Sequence, residues 1–153
     1  MLLLMDKSNQ QIISLEKNDL NLQRLKNIIN TIFQDENINL GAQLNIVITN
    51  NKYLRELNSK FKNLDRPTDV LAFSFDNSFL PENISILGDV YISLKRAKEQ
   101  AIQYKVSLQN EIERLMIHGI LHLIGYIHNE EDKDKEMTEK TEYYLNQINK
   151  MEP

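Results

Sequence analysis

The sequence predicts a single α/β (α+β) domain of four strands and about five helices. Short β-branched runs alternate with longer segments whose apolar residues recur every three to four positions, the pattern of strands interleaved with helices. The chain has 153 residues, 41% hydrophobic and 26% charged, enough to bury one core without disulfides. No repeat, linker or low-complexity run divides it, so residues 1–153 read as one domain.

Met1 to Met5 is apolar but short, and residues 6–10 are polar. Residues 1–10 therefore read as a loose N-terminal extension. The run lacks the basic start, longer apolar stretch and small-residue cleavage site of a signal peptide. Ile12 to Leu15 is the first strand. Asn18 and Asp19 offer helix caps, and Leu22, Leu25, Ile28, Ile29, Ile32 and Phe33 then mark an amphipathic helix. Leu44 to Thr49 is the second strand by β-branched content. Asn50 can cap a helix over about 51–63, with Tyr53, Leu54, Leu57 and Phe61 on its apolar side.

Pro67 breaks that helix, because proline lacks the donor and fixes φ. Val70 to Phe75 is the third strand, residues 76–85 an exposed loop, and Ile86 to Ser93 the fourth strand. A helix over 94–104 places Ala97 and Ala101 inward. Ser107 caps the next, whose apolar side includes Leu108, Ile112, Leu115, Met116, Ile120, Leu121 and Leu123. The last helix starts at Asn129. Acidic residues in its first turn suit the helix dipole, and Met137, Thr141, Tyr144, Leu145 and Ile148 form its core face.

Composition narrows the function classes. There is no cysteine, which removes disulfides, thiolate ligands and cysteine nucleophiles and fits a reducing compartment. Net charge is -4, so a polyanion partner has to meet a local basic patch. No run approaches the roughly 20 apolar residues of a membrane span. A cytoplasmic protein is expected.

All three histidines, His118, His122 and His128, fall within eleven residues. On a helix, His118 and His122 stand one above the other on the same face. Gly125 tolerates the left-handed conformation that ends a helix, so the chain can turn there and bring His128 back. Three imidazoles with an open fourth position are how a catalytic zinc is held. Two plainer readings stand beside this one: core or surface histidines, and a structural metal closed by a carboxylate such as Asp132. Nitrogen ligands also suit nickel, iron or copper. The spacing overlays the H-E-x-x-H-x-x-G-x-x-H pattern of one metalloprotease group, but Gly119 occupies the slot of the glutamate base. That argues against ordinary peptide hydrolysis. Packing or a close approach of substrate or backbone would each explain a glycine there.

The stretch His118-Gly119-Ile120-Leu121-His122-Leu123-Ile124-Gly125-Tyr126-Ile127-His128 resembles the YbeY family of bacterial ribosomal-RNA maturation endoribonucleases. Flanking blocks match in order: Leu57-Asn58 through Phe61, Asp65, Thr68 to Leu71, Phe73, Gly88-Asp89-Val90, and the acidic run before Met137. The likeness covers about residues 10–150. It implies a small mixed sheet flanked by helices and one zinc ion per chain on His118, His122 and His128. It also implies metal-dependent, single-strand-specific endoribonuclease activity in maturing the 3′ end of small-subunit ribosomal RNA, with a part in ribosome quality control. The implied partners are ribosomal RNA and the small ribosomal subunit, with no membrane and no DNA.

The chain departs from the family pattern at three positions. Lys62 stands where the family usually has an arginine implicated in activity, Ala72 replaces a serine, and Ile127 replaces the aspartate before the last histidine. Lysine keeps the positive charge but loses bidentate phosphate binding. Lys62 is nevertheless the candidate catalytic cation, and Lys62 with Arg66 the candidate phosphate binders. They belong to a basic segment, Lys52, Arg55, Lys60, Lys62 and Arg66 against Glu56 and Asp65, readable as a phosphate rim or as a solvated helix face. Tyr53 and Phe61 could stack on bases, although their spacing favours burial. Asp69 and Asp89 are candidates for roles behind the metal ligands or for capping turns. The expected chemistry is metal-assisted phosphodiester cleavage. The rival functions are a metallohydrolase on another substrate and a non-catalytic ribosome assembly factor with a structural metal.

Overall fold

The computed structural model describes residues 2–4, 9–62, 69–126 and 131–151. The four strands read from the sequence form one mixed sheet, and a fifth extends its edge. In chain order they are β1 (Leu2–Leu4), β2 (Gln10–Ser14), β3 (Gln43–Thr49), β4 (Val70–Ser74) and β5 (Ile86–Ser93). Their spatial order is β1-β2-β3-β5-β4. The central pairs β2–β3 and β3–β5 are parallel, and the outer pairs β1–β2 and β5–β4 are antiparallel. The fifth strand was expected to be loose. Instead Leu2–Leu4 pairs with Ile12 to Ser14, because the edge of β2 offers unpaired backbone groups to any extended segment within reach. Residues 5–8 lie outside the described residues.

Among the described residues five α-helices surround the sheet: α1 (Leu22–Asp35), α2 (Asn51–Lys62), α3 (Leu94–Tyr104), α4 (Leu108–Leu123) and α5 (Glu131–Met151). The cap of α1 falls later than expected. Asn21 accepts from the Arg24 amide at 3.0 Å, while Asn18 closes the preceding turn on the Leu20 amide. Asn50 caps α2 through the Tyr53 amide, and Ser107 caps α4 through the Asn110 amide, as the sequence indicates. Asn129, expected to open the last helix, lies outside the described residues.

Side chains of successive strand residues point to opposite faces, and the two faces are covered differently. On one, Ile12, Leu44, Ile46, Ile48, Val90 and Ile92 form a continuous core with α1, α4 and α5. The expected inward residues of α5, Met137, Thr141, Tyr144, Leu145 and Ile148, are all buried. Burial of each large aliphatic side chain contributes roughly 1.5–3 kcal/mol. On the other face, Val47, Leu71 and Leu54 of α2 are buried outside that core cluster. Here α2 packs Tyr53 edge-on against Tyr91, ring centroids 6.1 Å apart. Tyr53 was expected to be buried, but it is 38% exposed, because it sits at the margin of this thinner layer.

Helix α4 rests directly on β5. A Cβ built on Gly119 would lie 2.5 Å from Val90 Cγ1 and 3.4 Å from Val70 Cγ2. Any larger residue would lift the helix from the sheet or displace a stiff β-branched side chain. Gly119→Ala should therefore destabilise the fold by about 1–3 kcal/mol through overpacking. The loss should shrink in a Val90→Ala background, where the added methyl has room. Urea unfolding of the four proteins of this cycle checks it, and equal losses in both backgrounds would refute the contact as the cause.

Candidate metal centre

Helix α4 is buried almost all round. Between Glu111 and Leu121 only Arg114 and His118 escape full burial, and His122, one turn further, is exposed. These three residues recur every fourth position, so they share one line along the helix. That line is the only part of the middle of α4 open to solvent. Two of the three sequence-predicted histidines thus stand on the single accessible seam of a helix anchored in the core.

The end of α4 is built as the sequence suggests. Gly125 has φ +107°, a conformation that side chains disfavour. Its amide donates to the His122 carbonyl at 3.2 Å, and the Tyr126 amide donates to the Leu121 carbonyl at 3.0 Å. This crossed pair is the Schellman arrangement that stops a helix and reverses the chain. The reversed segment is then fastened. The Tyr126 hydroxyl donates to Glu36 Oε1 at 2.6 Å, and Lys140 Nζ lies 3.6 Å from Glu36 Oε2. Burial, then the bond to Glu36, pushes the Tyr126 phenol up to about 12, so it remains a donor across the physiological range. One carboxylate at the end of α1 therefore holds the exit of α4 and the side of α5.

His128 lies outside the described residues. Among the described residues no third ligand joins His118 and His122. Of the predicted phosphate binders, Lys62 ends α2 with its side chain outside the described residues, and Arg66 lies outside them, as does Asp132's side chain.

Two candidate aspartates have partners within the fold. Asp89 accepts from Asn45 Nδ2 at 2.9 Å. It follows Gly88 and precedes Val90, so it points to the sheet face away from α4 and stands behind neither His118 nor His122. Asp69 accepts from Gln100 Nε2 at 3.1 Å, and its carbonyl accepts from the Ser93 amide; it ties α3 to the start of β4. Gly119 is explained by packing. The glutamate slot of the protease pattern points into β5, and no side chain fits there.

Arg114 was missed by the sequence reading. Its Nε and Nη2 donate to the two carboxylate oxygens of buried Glu111 at 2.8 and 2.6 Å. The guanidinium also lies 5.8 Å from the Tyr104 ring centroid. The bond to Glu111 raises its pKa further. It sets a fixed, half-exposed cation one turn before His118. Its i−4 spacing from His118 was the available signal, but an isolated arginine on a helix says nothing about exposure.

Comparison with known proteins places the whole chain in a family. The family profile described as Endoribonuclease YbeY matches residues 6–149. The chain belongs to the YbeY family. It is 34% identical over 140 residues to the endoribonuclease YbeY of Acetivibrio thermocellus, covering 84% of this chain and 86% of that one. It is 38% identical over 122 residues to that of Acholeplasma laidlawii, covering 80% and 85%. The fold is similar to the solution structure of TM1509 from Thermotoga maritima, with TM-score 0.64, 29% identity and coverage of 91% and 88%. Of the YbeY-like blocks, β4 and β5 pair with each other and the Gly119 stretch of α4 lies on them, while the end of α2 belongs to the helix on the opposite face of the sheet.

The chain reversal makes a direct prediction. Gly125→Ala should cost about 1–2 kcal/mol, because alanine at this φ is strained and the amide pair that stops α4 is disturbed. Thermal unfolding with calorimetry checks it, and an unchanged melting temperature would refute the strained turn.

Proposed function

We propose that this chain is a zinc-dependent, single-strand-specific endoribonuclease that matures the 3′ end of small-subunit ribosomal RNA and serves ribosome quality control. The observation that carries the proposal is the open seam of α4. A helix otherwise sealed in the core exposes two imidazoles in register, and the chain then reverses at Gly125. His128 follows three residues later, within about 11 Å of extended chain. Family membership supplies the reaction class.

In this reading His118, His122 and His128 hold one zinc ion through neutral ring nitrogens. The donor set fits: His118 and His122 stand one turn apart on the solvent-open line of α4, the spacing at which two helical imidazoles can meet one ion. When bound, zinc supplies Lewis-acid activation of a phosphate oxygen and of water. The seating of Gly119 on β5 fixes the height and rotation of α4, and so of both imidazoles. Lys62, with Arg66, holds the scissile phosphate and offsets charge developing on it. Peptide hydrolysis has no support from this helix, because the position of a protease base is filled by Val90. The substrate reaches the enzyme in the cytoplasm, on the small ribosomal subunit; no described helix is long and apolar enough to cross a membrane.

His122→Ala should lose both stoichiometric zinc and cleavage of single-stranded RNA, measured by elemental analysis and a gel assay on the same preparation. Cleavage by scrupulously metal-free protein would overturn the zinc mechanism. Zinc retained in full with no RNA cleaved by the wild-type chain would favour an assembly factor with a structural metal. Lys62→Ala should slow cleavage by about 10²-fold with zinc content intact, and Lys62→Arg should preserve or raise the rate. An unchanged rate for the alanine variant would remove Lys62 from the site.

A further inference from the structure

We propose that the outer face of α2 is a second binding surface for the substrate strand, so that single-stranded RNA passes round the β4 edge and is held on both faces of the sheet. This rests on the ribonuclease reading above and extends it to nucleotides away from the cleaved bond.

The geometry starts from two neighbouring residues. Val90 points at Gly119 of α4, and Tyr91 points at Tyr53 of α2. Adjacent strand residues face opposite ways, so α4 and α2 lie on opposite sides of the sheet. Among the described strands, β4 alone lies beyond β5. The histidine seam and the outside of α2 are therefore separated by the margin of one sheet.

The outside of α2 carries a shallow hollow of about 440 Å³ lined by Lys52, Arg55, Glu56, Ser59 and Lys60. Their spacing is that of one helix face, opposite buried Leu54 and Asn58. Three cations against one carboxylate stand out on a chain of net charge -4. From Lys52 to Lys60 the helix rises about 12 Å, room for more than one phosphate, and the track runs towards Lys62 at the end of the helix. Beside it, Tyr53 keeps 38% of its surface exposed. Its ring is braced edge-on by Tyr91, which is braced in turn by Phe73 at 5.9 Å. A fixed, partly open aromatic next to a row of cations is the combination that holds unpaired nucleotides: charges follow the backbone and the ring takes a base. An acidic peptide would complement the positive charge but not the ring. A duplex would complement the charge but is too stiff to fold round a sheet edge. Preference for single strands then follows from the shape of the protein as well as from the site.

The test uses the full chain carrying His122→Ala, so that RNA is bound but not cut. Fluorescence anisotropy is recorded with labelled single-stranded RNAs of about 6 and about 16 nucleotides and a 16-base-pair duplex, over a salt series. Lys52→Glu/Arg55→Glu/Lys60→Glu should weaken binding of the long strand at least tenfold. Three lost phosphate contacts should also reduce the slope of log affinity against log salt by about 2. The short strand should change little. Tyr53→Ala should weaken the long strand about tenfold while leaving the salt slope unchanged, and circular dichroism shows whether both variants fold. An unchanged affinity and slope in the triple variant overturns the proposal. So does equal loss for the long strand and the duplex, or competition by polyglutamate as strong as by RNA. Failure of the ribonuclease reading shows separately, as wild-type protein that binds RNA but does not cut it.

Discussion

The contact between Gly119 and Val90 is the constraint on which the rest of this structure depends. It brings the backbone of α4 down onto β5 with no side chain between them. At this distance the helix cannot rotate without driving its neighbours into the sheet. The rotation decides which residues of α4 meet the core and which meet solvent. With Gly119 on the sheet, Ile112, Leu115, Met116, Ile120 and Leu121 are buried, and the open line falls on Arg114, His118 and His122. Further along, Leu123 approaches Gly88, where a Cβ would collide with the Phe73 carbonyl. Two glycines, one on the helix and one on the strand, thus set the docking of α4 at both ends of the histidine segment.

Around this rigid centre the polar groups act as fasteners. Glu36 receives Tyr126 and faces Lys140, joining the ends of α1 and α4 to the middle of α5. Glu111 and Glu113, both almost fully buried on α4, are matched by Arg114 and Arg24. Buried carboxylates without such partners would be costly, so the arginines are conditions of the helix lying where it does. Lys26, on the buried stripe of α1, is accommodated in the same way. It donates to Gln10, whose amide nitrogen donates to the carbonyls of Leu40 and Ala42.

The two faces of the sheet serve different ends. One carries the main core and positions the histidines through α4. The other is covered by a single helix that leaves aromatic and cationic groups near the surface. The same sheet can therefore support a chemical site and a contact surface without one disturbing the packing of the other, because alternate strand residues serve each face separately.

The sequence by itself determined most of the secondary-structure elements and the spacing of the histidines. Strand β5 and helix α3 fall within the predicted bounds, and the caps at Asn50 and Ser107 are where local hydrogen-bonding chemistry puts them. Such features depend on residues a few positions apart, so a linear pattern contains them. The same holds for the i, i+4 histidines and the stop at Gly125. Only the tertiary structure decided that Gly119 is a packing residue, that Asp89 faces away from α4, that Arg114 shares the open line with His118, and that Tyr53 stays partly exposed. It also added β1, a strand too short to be recognised from its own residues and formed because β2 had an edge to offer. Each of these depends on which elements lie against which. That is settled by contacts between residues far apart in the chain, where spacing and propensity carry no information.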